Sequence, residues 1–349
     1  MSRRTKKQEL ELYDNTTIQD SRKCLRYLYY RHQRGIVTRT PRPALAFGAA
    51  WHRAMDVIWQ RFCGRGSSIP KRPGPYRDYI EASVAGAMVA FEETWSGEYG
   101  YPGIADMDLE THKQLEPRTP TVAMDMLFEY IDQRKNFFLN GDIELLAVEE
   151  PFAVPLDPNN PNLFYVGRFD KKIRRNGRIS LIEHKTTTAY SKANGFRTSV
   201  LESYVPNSQI DGYLYSANAL IGPAFKEVLV DLALVHRSER RFRFIPVERD
   251  LTNLEEWLWT THYYINNIRA NKHALIETQE SPIMAAFPQN TNSCIAFETT
   301  CDYLDLCKSW IDPRQRHIAE EDEHFEEGNF WSPFKELHLE KIFKRRKKT

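Results

Sequence analysis

The chain has no stretch approaching the ~18 apolar residues of a membrane span. Its first residues, MSRRTKKQELELYDN, are basic and then polar, without the apolar run of a secretory signal. A cytoplasmic protein without a membrane partner is the expectation. A surplus of charge is also lacking: 48 Lys and Arg against 47 Asp and Glu leave +1 at pH 7. Bulk charge therefore excludes nothing and drives nothing, and any affinity for nucleic acid must come from local patches. Cysteine is scarce, five in 349 residues. An odd number spread over a long chain argues against a disulfide framework and toward metal or redox chemistry. There is no internal repeat, and no low-complexity block beyond the last basic residues.

What is present is a globular pattern. A hydrophobic content of 41 % supports one large or two modest domains. The periodicity predicts a helix over 17–34, capped by Asp20 or Ser21 and carrying Cys24. A second helix over 45–62 places His52 and Asp56, four residues apart, on one face. A Gly/Pro-rich loop at 64–76 follows, then helices at about 78–96 and 121–139 around a polar, Pro-containing connection. From 142 the period changes to that of strands, interrupted by an amphipathic helix at 206–221 with Asn207 as its cap. A last helix over about 253–275 precedes the cysteine-containing C-terminal region. This divides the chain into an N-terminal helix (1–44), a helical layer (45–141), a core (142–280) and a C-terminal segment with a basic tail (281–349).

The most informative stretch is FYVGRFDKKIRRNGRISLIEHK. Asn176-Gly177 is a strong two-residue hairpin signal. Pairing outward from that turn sets Arg175 opposite Arg178 and Asp170 opposite Glu183, with Lys185 on the same face as Glu183. Opposed side chains have Cβ atoms roughly 4.5–5.5 Å apart, and two like charges there repel. Two acids and a lysine held this way outline a hydrolytic metal site. Glu149 and Glu150 on the preceding strand are further acids near it, one of them within reach of a metal through water. Basic runs at Lys171–Arg178, at His236–Arg243 and in the tail KIFKRRKKT are the local patches that nucleic acid would need.

These residues resemble the PD-(D/E)XK nucleases, and within them the RecB-like exonuclease branch. Gly48 and His52, Gly167 and Asp170, Glu183 and Lys185, and Gln209 and Tyr213 supply that branch's Gly-x-x-x-His, Gly-x-x-Asp, acid-x-Lys and Gln-x-x-x-Tyr motifs in order. The resemblance implies an α/β fold, a restriction-endonuclease-like core with a mixed central β-sheet flanked by helices, here with an inserted helical layer. It implies that His52, Asp170, Glu183 and the main-chain carbonyl of His184 hold one or two divalent cations, magnesium or manganese. Lys185, Gln209 and Tyr213 would then act on the water or the phosphate.

The cysteines add a second pattern. Cys294, Cys301 and Cys307 lie close in sequence, and Cys24 lies at the other end. That split resembles the iron-sulfur staple of AddB-type helicase-nucleases and of nucleases of CRISPR adaptation, which implies a four-iron, four-sulfur cluster. The gap between Cys294 and Cys301 is wider than that family's, and zinc is the alternative for four thiolates. Cys63 fits neither pattern. The function implied is a metal-dependent DNA exonuclease acting on single strands or ends, in recombination, repair or phage DNA processing. A helicase, recombinase or adaptation complex would be its partner, in a bacterial, archaeal or phage-infected cell. The alternatives are a structure-specific endonuclease and a non-catalytic DNA-binding subunit.

Overall fold

The computed structural model describes residues 10–40, 42–140, 142–222, 227–296, 299–309, 312–315 and 322–328, with single positions 225, 317, 331 and 336. The basic tail at 341–349 lies outside them. The described residues fall into two compact units, one within Met1–Arg39, Pro151–Gly167 and Leu251–Thr349, the other within Thr40–Glu150 and Arg168–Asp250.

The first unit begins with β1 (Glu11–Tyr13), α1 (Asn15–Lys23), α2 (Leu25–Leu28) and β2 (Ile36–Thr38). The helix expected over 17–34 is therefore interrupted. Asp14, not Asp20 or Ser21, is the cap, its carboxylate accepting the Thr17 N–H at 2.7 Å. Asp20 and Ser21 lie inside the helix, and Asp20 instead meets the His32 ring at 2.8 Å. Cys24 is not on a helix. It is extended (φ −167°, ψ 123°) at the break between α1 and α2.

The second unit opens with the helical layer: α3 (Pro43–Cys63), α4 (Pro73–Glu92), α5 (Leu109–Leu115) and α6 (Pro120–Asn140). The α4 helix starts within the stretch expected to be loop, because a proline preset for helix stands at its first turn. The polar connection contains α5, capped by Asp108 through the Thr111 N–H at 2.7 Å. Then come β3 (Ile143–Pro155), β4 (Leu163–Arg175), β5 (Arg178–Thr187), the minimal hairpin of β6 (Tyr190–Ser191) and β7 (Gly195–Phe196), α7 (Thr198–Glu202), α8 (Ser208–Leu220), β8 (Glu227–Leu234) and β9 (Phe242–Glu248).

The sheet runs β1-β4-β5-β8-β9, with β3 also on β4. Parallel and antiparallel pairs alternate, so it is a mixed α/β sheet flanked by helices. Ile173, Ile182, Leu229 and Ala233 turn one face into the core made with α3, α4 and α6, where Trp51, Trp59, Phe91 and Trp95 are buried. Period-two alternation sends Glu183 and Lys185 to the opposite face, beneath α8. The α8 helix is capped as the sequence indicates, Asn207 accepting from the N–H groups of Gln209 and Ile210.

The chain returns to the first unit with α9 (Leu251–Glu277), the short hairpin of β10 (Ile295–Ala296) and β11 (Thr299–Thr300), α10 (Leu304–Ser309) and β12 (Phe325–Glu327), which pairs with β2. Among the described residues, no helix is long and apolar enough to cross a membrane.

Gly167 has a packing reason. A Cβ built there would stand 2.7 Å from Cζ of the buried Phe152 ring. Gly167→Ala is therefore expected to destabilise the protein by about 1–3 kcal/mol through overpacking, read as a lower urea midpoint. An unchanged midpoint would show that the ring yields freely.

Candidate metal centre

The turn adopts the backbone that its sequence demands, with φ +48° at Asn176 and +75° at Gly177. The ladder runs from Arg175 opposite Arg178 to Lys171 opposite Ile182, so the next rung is Asp170 and Glu183. Both carboxylates are buried. Burial first and Asp170 second push the Glu183 carboxyl well above the ordinary range. Asp170 Oδ2 accepts the His184 N–H at 2.9 Å, which holds the acid against β5.

The α3 helix brings His52, whose Nδ1 lies 3.3 Å from Asp170 Oδ2. One turn on, Asp56 Oδ1 accepts from Lys171 Nζ at 2.7 Å, with Lys171 fully buried. Two adjacent residues of β4 are thus fastened to two successive turns of α3. Burial pushes the His52 imidazole down to about 4, against the pull of Asp170, so the ring is neutral and able to ligate at pH 7.

Glu183 faces a different set of partners. Its Oε1 accepts from Lys185 Nζ at 2.6 Å and from Gln209 Nε2 at 2.9 Å. Gln209 Oε1 accepts from Lys185 at 2.9 Å, and Gln209 Nε2 also donates to the Tyr213 hydroxyl at 3.1 Å. Gln209 and Tyr213 share a face of α8 because they are four residues apart. Burial opposes the Lys185 charge, but Glu183 and Asp170 outweigh it, so Lys185 is an ammonium held above its ordinary range. Glu183 Oε2 is buried with no hydrogen-bond donor, an orphaned acceptor of the kind a cation satisfies.

The ligand atoms of His52, Glu149 and Asp170 all lie within 4.8 Å of one another, and Glu183 is not in that set. Glu149, a secondary residue in the sequence reading, has its carboxyl pushed up to about 7, by burial and then by Asp170 and Asp56. Glu150 is not part of the group and pairs with Lys172. Gly48, His52, Arg53, Glu149, Arg168 and Lys185 line one cleft here. An imidazole, carboxylates and an orphaned oxygen are the donors that magnesium or manganese takes, so the residues fit such an ion.

The His184 side chain points the other way, into the helical layer. Its ring is buried with Nδ1 3.4 Å from Asp231 Oδ2, too poorly aligned for a hydrogen bond. Asp231 accepts from Tyr130 at 2.6 Å and pairs with Arg134 at 2.7 Å, and Trp59 Nε1 donates to the Tyr130 hydroxyl at 3.0 Å. Sequence reasoning missed this network. Its one signal was a lone acid within the apolar run VLVDLALV.

The basic run at Lys171–Arg178 is not an open patch. Lys171 serves Asp56, Lys172 serves Glu150, Arg174 pairs with Glu144, and Arg175 lies 5.1 Å from the centre of the Phe137 ring. In the run at 236–243, Arg237 pairs with Glu116, Arg240 with Asp125 and Arg241 with Glu239.

In the other unit, Cys24, Cys294, Cys301 and Cys307 line a single pocket with Tyr27 and Tyr303. The wide gap after Cys294 is taken up by the β10–β11 hairpin, which returns the Cys301 N–H to within 2.8 Å of the Cys294 carbonyl. Burial pushes the Cys307 thiol up to about 11, and Cys24, Cys301 and Cys294 push the same way. Cys63 is buried in the helical core, its thiol pushed up to about 12 by burial.

No family model and no curated protein matches the chain. Among solved structures it is similar to "Crystal structure of SSO0001", at 16% identity over 55% of this chain and 78% of that one, TM-score 0.25. It is also similar to an alkaline exonuclease (LHK-Exo) from Laribacter hongkongensis, at 11% identity over 66% and 92% of the two chains, TM-score 0.25. The same exonuclease in complex with dAMP gives 12% identity over 68% and 96%, TM-score 0.26. The chemistry is accordingly argued from this chain's own side chains.

Proposed function

We propose that the protein is a divalent-cation-dependent DNA nuclease of the PD-(D/E)XK kind, an exonuclease on single strands or DNA ends. The observation that carries the reading is that His52, Glu149 and Lys185 line one cleft, with the buried Asp170 within ligand reach of the first two and the buried Glu183 on Lys185. His52 and Asp170 would hold the cation, with Glu183 and the His184 carbonyl beside it. Magnesium or manganese there supplies charge for the non-bridging phosphate oxygens and acidifies water.

The remaining steps belong to the side chains. Lys185, oriented by Glu183 and Gln209 at 2.6 and 2.9 Å, would donate to the attacking water, orienting it, or to the phosphoryl oxygens on which charge develops. Tyr213, tied to Gln209 at 3.1 Å, turns its hydroxyl toward the phosphate. Gly48 lines the cleft, and Arg53 and Arg168 give it positive walls for the backbone. The reading places the enzyme in recombination, repair or phage DNA processing, beside a helicase, recombinase or adaptation complex.

The four cysteines would hold a four-iron, four-sulfur cluster. The four cysteines line one pocket, which supports a shared four-thiolate group, and zinc is the alternative occupant.

Purified protein is expected to degrade end-labelled linear single strands with Mg2+ or Mn2+ and to spare circles. Cleavage of circles at the same rate would make it an endonuclease. Lys185→Ala should lose roughly a hundredfold or more in turnover while cation and DNA binding persist. Lys185→Arg should not rescue, because a forked guanidinium cannot take the place of a compact ammonium between Glu183 and Gln209. Near wild-type turnover in Lys185→Ala would remove Lys185 from the mechanism, and in Lys185→Arg it would leave the lysine a purely electrostatic role.

A further inference from the structure

The thiol pocket is assembled by more than its cysteines. Phe287, fully buried, turns the chain with φ +52°, a conformation that residues other than glycine rarely take, and Asn271 Oδ1 accepts its N–H at 2.6 Å. From there the chain runs along the break between α1 and α2. Arg26 donates its Nε to the Phe287 carbonyl at 2.9 Å and its N–H to the Pro288 carbonyl at 3.2 Å. Asn290 continues the seam. Its Nδ2 donates to the Lys23 carbonyl at 2.8 Å and to Ser293 Oγ at 3.0 Å, and Ser293 Oγ donates to the same carbonyl at 2.7 Å. Lys23 precedes Cys24 and Ser293 precedes Cys294, so this knot lies one residue from a thiol on either side. The Asn290 N–H is donated to Cys24 Sγ at 3.2 Å.

Partners 261 and 270 positions apart in the chain are thus joined by hydrogen bonds of the protein alone. A cysteine that binds metal does so as a thiolate, and an N–H on its sulfur offsets that charge. Groups that orient metal ligands from behind commonly carry roughly 10–100-fold in metal affinity. We propose that Asn290 is the positioning residue of the four-thiolate site, its side chain tying Cys24 to Cys294 and its N–H steadying the Cys24 sulfur as a ligand. This rests on the reading that the four cysteines share one metal group.

The test is the rate at which the loaded full chain gives up its metal to excess chelator. It is read as bleaching of the protein's colour for iron, or with a chromogenic indicator for zinc. Asn290→Ala and Ser293→Ala are expected to release metal about tenfold faster than wild type or more, while Ser293→Thr, which keeps the hydroxyl, stays within about threefold. Glu11→Ala is the control for general loosening. It removes the Glu11–Arg269 pair, at 2.7 and 2.8 Å, between β1 and α9 of the same unit, and should leave release within about threefold of wild type. Release at the wild-type rate in both Asn290→Ala and Ser293→Ala would overturn the proposal, and so would release from Glu11→Ala as fast as theirs. Wild-type protein that holds neither iron nor zinc would overturn the four-thiolate reading itself, and the assignment of Asn290 with it.

Discussion

Asp170→Asn is expected to cut cation-dependent DNA cleavage by roughly a thousandfold or more while the chain still folds. Asp170 meets His52 at 3.3 Å and accepts the His184 N–H at 2.9 Å, so it is both ligand and strut. Asparagine keeps an acceptor for that N–H and removes the charge. Alanine would leave a buried donor unpaired, at a cost of ~1–3 kcal/mol, which offsets any relief of repulsion with Glu183.

The same substitution tests the electrostatics. The Glu149 carboxyl is raised to about 7 in the folded protein, by burial and then by Asp170. A group raised on folding gives stability that is full below its unfolded value, near 4.5, and is lost as pH rises through the folded one. Metal-free wild type should therefore lose thermal stability between about pH 6.5 and pH 8, above the range in which the depressed His52 imidazole works the other way, and Mn2+ should restore it most at pH 8. In Asp170→Asn that pH-dependent loss should shrink. A loss as steep as in wild type would show that the two carboxylates do not act on each other.

The second large effect is expected at the cysteines. Protein purified without oxygen should be brown, and Cys301→Ser should be colourless and less stable by on the order of 3–5 kcal/mol. The cost is high because Cys24 and Cys294 are 270 positions apart in the chain, and a cluster joining them closes that loop in the unfolded state. Cys63→Ser should stay near wild type in colour. Colourless, metal-free protein, together with a Cys301→Ser variant as stable as wild type, would show four ordinary buried thiols.

The parts of the site that the sequence made legible are those under local geometric control. Asn176-Gly177 determines the hairpin register, and the register determines that Asp170 meets Glu183. Asn207 caps α8, so Gln209 and Tyr213 fall on the face that reaches Glu183 and Lys185. What was not legible depends on contacts between distant segments. Lys171 reads as one charge in a basic run until Asp56, 115 residues earlier, claims it at 2.7 Å. Glu149 reads only as one of two neighbouring acids near the site, because nothing in LLAVEEPFAV announces a left-handed residue that sets it apart from Glu150. Cys24 appears helical by period, yet the chain extends there and turns its sulfur into the pocket with the other three cysteines.

The most direct test of the central claim is a time course on 5′-end-labelled single-stranded DNA with wild type, Asp170→Asn and Lys185→Ala, each with Mn2+ and with chelator. The account predicts progressive shortening by wild type with Mn2+ only, and almost none by either variant. Wild-type protein that leaves the DNA intact with Mn2+, or variants that degrade it at the wild-type rate, would contradict it.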